Sequence, residues 1–308
     1  MTSSAFHGWP QRMPAGRTAY VNGRFRPHGE AGVHIEDRGL QFADAIYEVC
    51  AVLGGHVQDE EEHLDRLERS LRELGMAMPM KRGALMLVMR ELARRNRIRD
   101  GLIYLQITRG TLRRDHAVPA APPRPTLILT ARPVDPKALA ARRAAGVAVV
   151  TRPDERWARC DIKSTALLPN ILAKTAARRA GAFEAWLVDK DGFVTEGSST
   201  TAWIIDDAGR VITRSLSNAI LPGVTRRVIL DAAAEAQLTV IERPFTVAEA
   251  RAAREAFISA ATLGATPVIA IDGQPVGVGR PGPLVRRIQE LYAQLAERRT
   301  KTSISGYN

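Results

Sequence analysis

Apolar positions alternate along the first part of the chain with a period of two, then shift to a period of three to four. Thr18-Ala19-Tyr20-Val21, Asn22-Gly23 and Arg24-Phe25 read as a hairpin. Its turn is type I′, because Asn-Gly accepts the left-handed backbone that such a turn demands. Residues 46–54 read as a second strand, turned by Gly54-Gly55. Leu64, Leu67, Leu71 and Leu74 then fall on one face of a helix over 60–75, and a further helix is predicted over 82–96. Strands over 102–108 and 126–131 follow, separated by a Gly, Arg and Pro-rich loop over 109–125.

The second half alternates strands and helices. The pattern predicts a strand over 147–151, a helix over 167–180, and strands over 184–189 and 200–205. A helix over 225–235 starts after Pro222-Gly223. A short helix over 247–253, a strand over 256–260 and a last helix over 283–298 complete the reading, with a frayed tail. The Arg-Pro-Val-Asp-Pro-Lys-Ala stretch at 132–138 carries the turn residues of a linker. This divides the chain into a disordered lead over 1–16, a small N-terminal domain over 17–133, a linker over 134–139 and a large domain over 140–308. The fold class is α/β, with an α+β two-domain layout.

Composition narrows the class. With 45% hydrophobic and 25% charged residues, the 308-residue chain is neither mainly disordered nor a coiled-coil rod. No apolar run reaches the roughly 18 residues of a membrane span, and the first residues lack the apolar core of a signal peptide. Two cysteines, Cys50 and Cys160, exclude a disulfide scaffold and a cysteine-rich zinc site, which points to a reducing cytoplasm. Cys50 is assigned to the core. A net charge of +11 invites a nucleic-acid reading. The basic residues instead scatter along helices beside Ala and Glu, and aromatics are only 5%, too few for base-stacking platforms. A solvated basic surface accounts for the charge, and neither a nucleic-acid partner nor a membrane is expected.

Five short stretches carry candidate chemistry. Only six of the 44 basic residues are lysine, so Lys163 in Asp161-Ile162-Lys163-Ser164 stands out. A lysine that loses solvation loses basicity, and its neutral amine can attack an aldehyde. Val194-Thr195-Glu196-Gly197-Ser198-Ser199, placed on a turn between two strands, offers a carboxylate for a pyridinium nitrogen and hydroxyls for an anion. Leu221-Pro222-Gly223-Val224-Thr225 opens a helix, whose free amides suit a phosphate. His63, Arg66 and Ser70 share a face beside the leucine stripe, where an arginine can reach a phosphate. Arg114 and His116 point the same way in an extended segment and can clamp a carboxylate. Taken singly, each stretch reads more simply as ordinary structure: a surface lysine, a Glu-Gly turn, a capped helix, a charged face, a polar loop.

Their order along the chain is what stands out. Asp37-Arg38-Gly39-Leu40-Gln41-Phe42, Tyr47-Glu48-Val49, Glu62-His63-Leu64-Asp65-Arg66-Leu67 and Thr108-Arg109-Gly110 come first. Arg114-Asp115-His116, Arg159-Cys160-Asp161-Ile162-Lys163-Ser164, Thr195-Glu196-Gly197-Ser198-Ser199 and Gly223-Val224-Thr225-Arg226 follow. With this series the chain resembles the class IV, fold-type IV pyridoxal-phosphate aminotransferases over about residues 17–295, and among them the D-amino-acid aminotransferases. The resemblance implies a cofactor, pyridoxal 5′-phosphate, held between the two domains, no metal, and a homodimer in which the small domain of one subunit lies near the other's site.

The resemblance also assigns roles. Lys163 forms the internal aldimine and moves a proton between the substrate Cα and the cofactor. Glu196 pairs with the ring nitrogen. Arg66, Val224 and Thr225 hold the phosphate. Tyr47, Arg114 and His116 hold the substrate α-carboxylate. Glu48, His63, Ser198 and Ser199 support the cofactor. Two stretches depart from the family: Thr201 stands where asparagine is common, and Ser259-Ala260-Ala261-Thr262 has fewer hydroxyls than usual. A phosphate hydrogen bond is therefore expected from Thr262 or from backbone.

The expected reaction is ping-pong transamination between a D-amino acid such as D-alanine and a 2-oxo acid, 2-oxoglutarate or pyruvate. Tyr47-Glu48-Val49 and the Arg114/His116 pair favour this over a branched-chain L-amino-acid aminotransferase, an aminodeoxychorismate lyase or an amine transaminase. From a different class, a polyanion-binding protein that kept the fold and lost catalysis would be marked by loss of Lys163, Glu196 or Arg66, and all three are present.

Overall fold

Asn22 and Gly23 both hold positive φ, 45° and 92°, so the predicted turn closes β1 (Thr18–Val21) onto β2 (Arg24–Pro27). The computed structural model describes residues 16–305, with side chains described as far as residue 299. Residues 1–15 of the predicted lead and the end of the predicted frayed tail lie outside the described residues.

After the hairpin come α1 (Arg38–Phe42), β3 (Ala45–Leu53), β4 (His56–Val57), α2 (Glu60–Glu73), α3 (Arg82–Arg95), β5 (Gly101–Thr108) and β6 (Thr126–Pro133). The strands form a six-stranded antiparallel sheet in the order β2-β1-β6-β5-β3-β4. The leucine stripe of α2 is buried against it. Leu64, Leu67 and Leu71 share one core with Met89 and Leu92 of α3 and Ile103, Leu105 and Leu129 of the sheet. Cys50 lies in that core, as assigned.

The large domain holds α4 (Pro136–Ala145), β7 (Val147–Pro153), α5 (Leu168–Arg179), β8 (Glu184–Val188), β9 (Val194–Gly197), β10 (Thr201–Ile205), β11 (Val211–Thr213) and α6 (Val224–Glu235). β12 (Val240–Glu242), α7 (Val247–Ala252), β13 (Glu255–Ala260), β14 (Gly264–Ile271), β15 (Gln274–Pro275) and α8 (Pro283–Ser305) follow. Its nine-stranded sheet is mixed, in the order β12-β11-β10-β13-β14-β7-β8-β9, with β15 on β14. Side chains from β7 to β10, β13 and β14 meet around Trp186 and Phe245, so the sheet curls on itself. α6 and α8 cover the face that carries Trp203 and Phe257.

Three expectations need correction. Residues 136–145 are helical, so the predicted linker over 134–139 overlaps α4: Asp135 caps the helix by accepting from the Lys137 amide, and Pro136 occupies its first turn. Val194–Gly197 is a strand, and the turn begins only at Ser198. The reading also has no strand over 264–271, although β14 joins β13 to β7 at the centre of the large sheet.

Candidate active site

Lys163 sits where the two domains touch, and its segment is fastened to the small domain. Ile162 is buried in the small-domain core. Asp161 takes Arg69 Nη2 on its carboxylate at 2.5 Å and Arg69 Nη1 on its carbonyl at 2.8 Å. The Tyr47 amide donates to the Lys163 carbonyl at 2.9 Å, and the Thr165 amide to the Ala45 carbonyl at 3.0 Å. The lysine backbone thus runs beside the start of β3, which presents Tyr47 and Val49 to a cavity of about 240 Å³. Lys163 Nζ lies 4.3 Å from the Tyr47 ring centre, within the range of a cation–π contact.

Glu196, one residue before the end of β9, lines the same cavity and is buried. Its carboxylate pairs with Arg156 Nη1 and accepts from the Leu221 amide at 3.2 Å. Asp154 holds Arg156 in place through contacts of 2.9 and 2.7 Å to Nε and Nη2, and itself accepts from the Thr195 hydroxyl at 2.6 Å. Burial pushes the Glu196 carboxyl up, against the pull of Arg156 and, more weakly, of Lys163. Arg156 thus works to keep the buried carboxyl charged, and a buried carboxylate suits a cationic partner such as a protonated ring nitrogen. Neither Arg156 nor Asp154 was singled out in the sequence: they lie about 40 residues before Glu196, and only the pairing of β7 with β8 and of β8 with β9 brings them together.

Arg66 reaches the cavity from α2. It grips Glu48 with two contacts of 2.8 Å, and Nη1 donates to the Pro222 carbonyl at 3.1 Å, immediately before α6. His63 Nδ1 lies 2.8 Å from the same carboxylate. Burial works against the charged form of Glu48, but Arg66 and His63 outweigh it and hold the carboxyl well below the usual range. α6 itself has no side-chain cap, unlike α1, α4 and α7. Its first residues, Val224 and Thr225, line the cavity, so unmatched amides and the positive end of the helix face it.

The remaining candidates divide. Thr262 and Thr201 line the cavity. Ser198 and Ser199 line it too, but their hydroxyls donate to the fully buried Glu184, whose charge is matched by Lys174 at 3.0 Å. They brace the wall from behind, and Glu184 is a further residue the sequence reading did not find. Cys160 also lines the cavity; burial pushes its thiol up to about 11, and it donates to the Trp157 carbonyl. Arg114 and His116 do not line the cavity. Both are exposed, stacked about Phe42 at 5.0 and 5.3 Å, on a loop pinned by buried Arg38 through the carbonyls of Asp115 and His116.

The donors present fit pyridoxal phosphate. Arg66, the open amides of α6 and Thr262 suit its phosphate, Glu196 its ring nitrogen, and Lys163 its aldehyde. With a small antiparallel-sheet domain and a large curled-sheet domain closing over this set, the architecture is that of the fold-type IV pyridoxal-phosphate enzymes. Residues 45–271 match the family described as Amino-transferase class IV, and the chain belongs to that family. It is 38% identical over 268 residues to D-alanine aminotransferase of Bacillus licheniformis, covering 87% of this chain and 93% of that one. Among solved structures it is similar to the branched-chain amino acid aminotransferase of Escherichia coli, with TM-score 0.84 and 25% identity, covering 92% of this chain and 96% of that one. The branched-chain aminotransferase of the archaeon Thermoproteus uzoniensis, solved with norvaline, gives TM-score 0.81 at 25% identity, over 92% of this chain and 96% of that one.

Proposed function

We propose that this chain is a D-amino-acid transaminase: it takes the amino group of a D-amino acid such as D-alanine and gives it to 2-oxoglutarate or pyruvate in two half-reactions. The likeness to D-alanine aminotransferase at 38% identity carries this reading, against 25% for the branched-chain structures. When bound, the cofactor supplies an aldehyde for the amino group and a conjugated ring that takes up the electron pair left at Cα. The chain's own part is placement and proton transfer. Arg66, Val224, Thr225 and Thr262 hold the phosphate, with Ser198 and Ser199 steadying the wall through Glu184. Glu196 keeps the ring nitrogen protonated. Lys163 Nζ moves a proton at the substrate Cα.

Tyr47, Arg114 and His116 hold the substrate carboxylate. Since Arg114 and His116 stay outside the cavity of their own chain, a partner supplies them, and the enzyme acts as a homodimer. Leu168, Ile171 and Leu172 form one apolar face of α5, each more than half exposed, which suits such an interface. The reading keeps the small domain over 17–133, begins the large domain with α4, and places the chain in the cytoplasm, where Cys50 and Cys160 remain reduced.

The test is the visible absorption band of the bound cofactor. D-alanine discharges it and L-leucine does not. Discharge by L-leucine alone overturns the D-specific reading in favour of the branched-chain one, and no band after loading with pyridoxal phosphate overturns both.

A second test addresses the shared site. Arg114→Ala raises KM for D-alanine by about 10-fold or more, the loss of one charge-assisted carboxylate contact. Mixed with Lys163→Ala chains, it regains a near-native KM, because each hybrid dimer holds one site with Lys163 and the partner's arginine. A mixture no better than Arg114→Ala alone would show that the clamp acts within one chain.

A further inference from the structure

A second, larger cavity of about 510 Å³ lies between the domains, and apart from Thr262 its wall is built from residues with no part in the proposed reaction. One face of β3 runs along both cavities: Tyr47 and Val49 line the first, Ala51 and Leu53 the second. Leu102 of β5, Leu139 and Ala140 of α4, and Ala293 and Ala296 of α8 make the rest of the wall largely apolar. Its size falls within the roughly 300–1,000 Å³ of small-molecule sites.

One cation faces this space without a counter-charge. Arg143 of α4 lines the cavity and spends Nε on the Leu263 carbonyl at 2.7 Å, and among the described residues no carboxylate pairs with its guanidinium. Burial pulls its affinity for the proton down, and Tyr292 offsets this only in part. Gly264 makes room for the group: it sits at φ +59°, and a Cβ there would lie 2.6 Å from Nη2. The acids of the wall are otherwise placed. Asp100 accepts from the Gly54 amide at 3.2 Å, and Glu297 is exposed at the rim.

The cavity also touches the phosphate end of the active site. Ala261 and Thr262 form part of both walls. Tyr292, in the second wall, lies near Thr225 in the first: the threonine hydroxyl pulls its phenol down, but burial outweighs this and pushes the phenol up to about 12, so it stays neutral.

We propose that this cavity binds a monocarboxylate with an apolar tail, its carboxylate on Arg143, and that occupancy alters the active site through Tyr292–Thr225 and the 261–262 turn. An arginine that meets a carboxylate in an apolar surround gains a charge-assisted pair, and the tail gains burial. Only the second clause rests on the transaminase reading; binding does not.

The test uses the cofactor-loaded enzyme, with hexanoate as probe and 1-hexanol as its neutral counterpart, in titration calorimetry. The native chain takes hexanoate about 10-fold or more tightly than 1-hexanol. Arg143→Met erases that difference, and Ala51→Phe, which fills the cavity from β3, removes both. Melting temperatures near native confirm that the variants fold. No uptake by the native chain, or uptake that both variants leave unchanged, overturns the site. In initial-rate measurements saturating hexanoate carries the native rate to a new plateau above zero, and Arg143→Met does not respond. Simple competition with D-alanine down to zero rate assigns the probe to the substrate pocket and overturns the link.

Discussion

Lys163→Ala should lower kcat by at least about 10⁴-fold while leaving the fold intact. The side chain is half-buried and lies over the ring of Tyr47. What anchors this segment is backbone and neighbours: the Lys163 carbonyl accepts from the Tyr47 amide, and Asp161 is tied to Arg69. On the proposed reading, truncation therefore removes the amine that would bind the cofactor aldehyde and move the Cα proton, and little else. At about 1.36 kcal/mol per tenfold, the loss exceeds about 5 kcal/mol of barrier. Far-ultraviolet circular dichroism and the melting temperature should stay near native. Lys163→Arg should be as inactive, because a guanidinium keeps the charge but stays protonated and cannot act as nucleophile or base. Turnover within tenfold of native in Lys163→Ala would remove Lys163 from the reaction.

What could be read from the sequence was what is local. The stripe of Leu64, Leu67 and Leu71 in α2 and the Asn22-Gly23 turn lie within a few residues of the partners that give them meaning. β14 was hidden because Pro267 interrupts its pattern; the proline is tolerated opposite Phe257 of β13, where nothing local announces a strand. α4 was hidden for the opposite reason. Asp135 and Pro136 read as a linker, yet an aspartate cap followed by a proline in the first turn is also how a helix begins. The same divide runs through the site. Lys163, Glu196 and Arg66 could be named from their order along the chain. Arg156 and Glu184 could not, since each works through a partner that only sheet pairing supplies. The Arg114/His116 pair was legible from its spacing, yet its residues are exposed and do not line the cavity of their own chain.

Glu196→Gln should reduce kcat by about 10²–10⁴-fold. The substitution keeps size and still accepts from the Leu221 amide, but it cannot carry the charge that holds a proton on the ring nitrogen. Arg156 is not stranded by the change, because Asp154 pairs with it through contacts of 2.9 and 2.7 Å, so the fold should survive. The role of Arg156 can then be separated from simple support. Burial raises the Glu196 carboxyl and Arg156 opposes that rise. Removing the guanidinium in Arg156→Met leaves burial less opposed, so the carboxyl takes up a proton at higher pH than in the native chain. Activity needs the carboxylate, which forms as pH rises through that value; the acid limb of the rate profile should therefore move to higher pH. Arg156→Lys, which restores a charge, should move it part of the way back. A Glu196→Gln enzyme with native kcat would remove Glu196 from the cofactor's nitrogen, and an acid limb that stays in place in Arg156→Met would reduce Arg156 to packing.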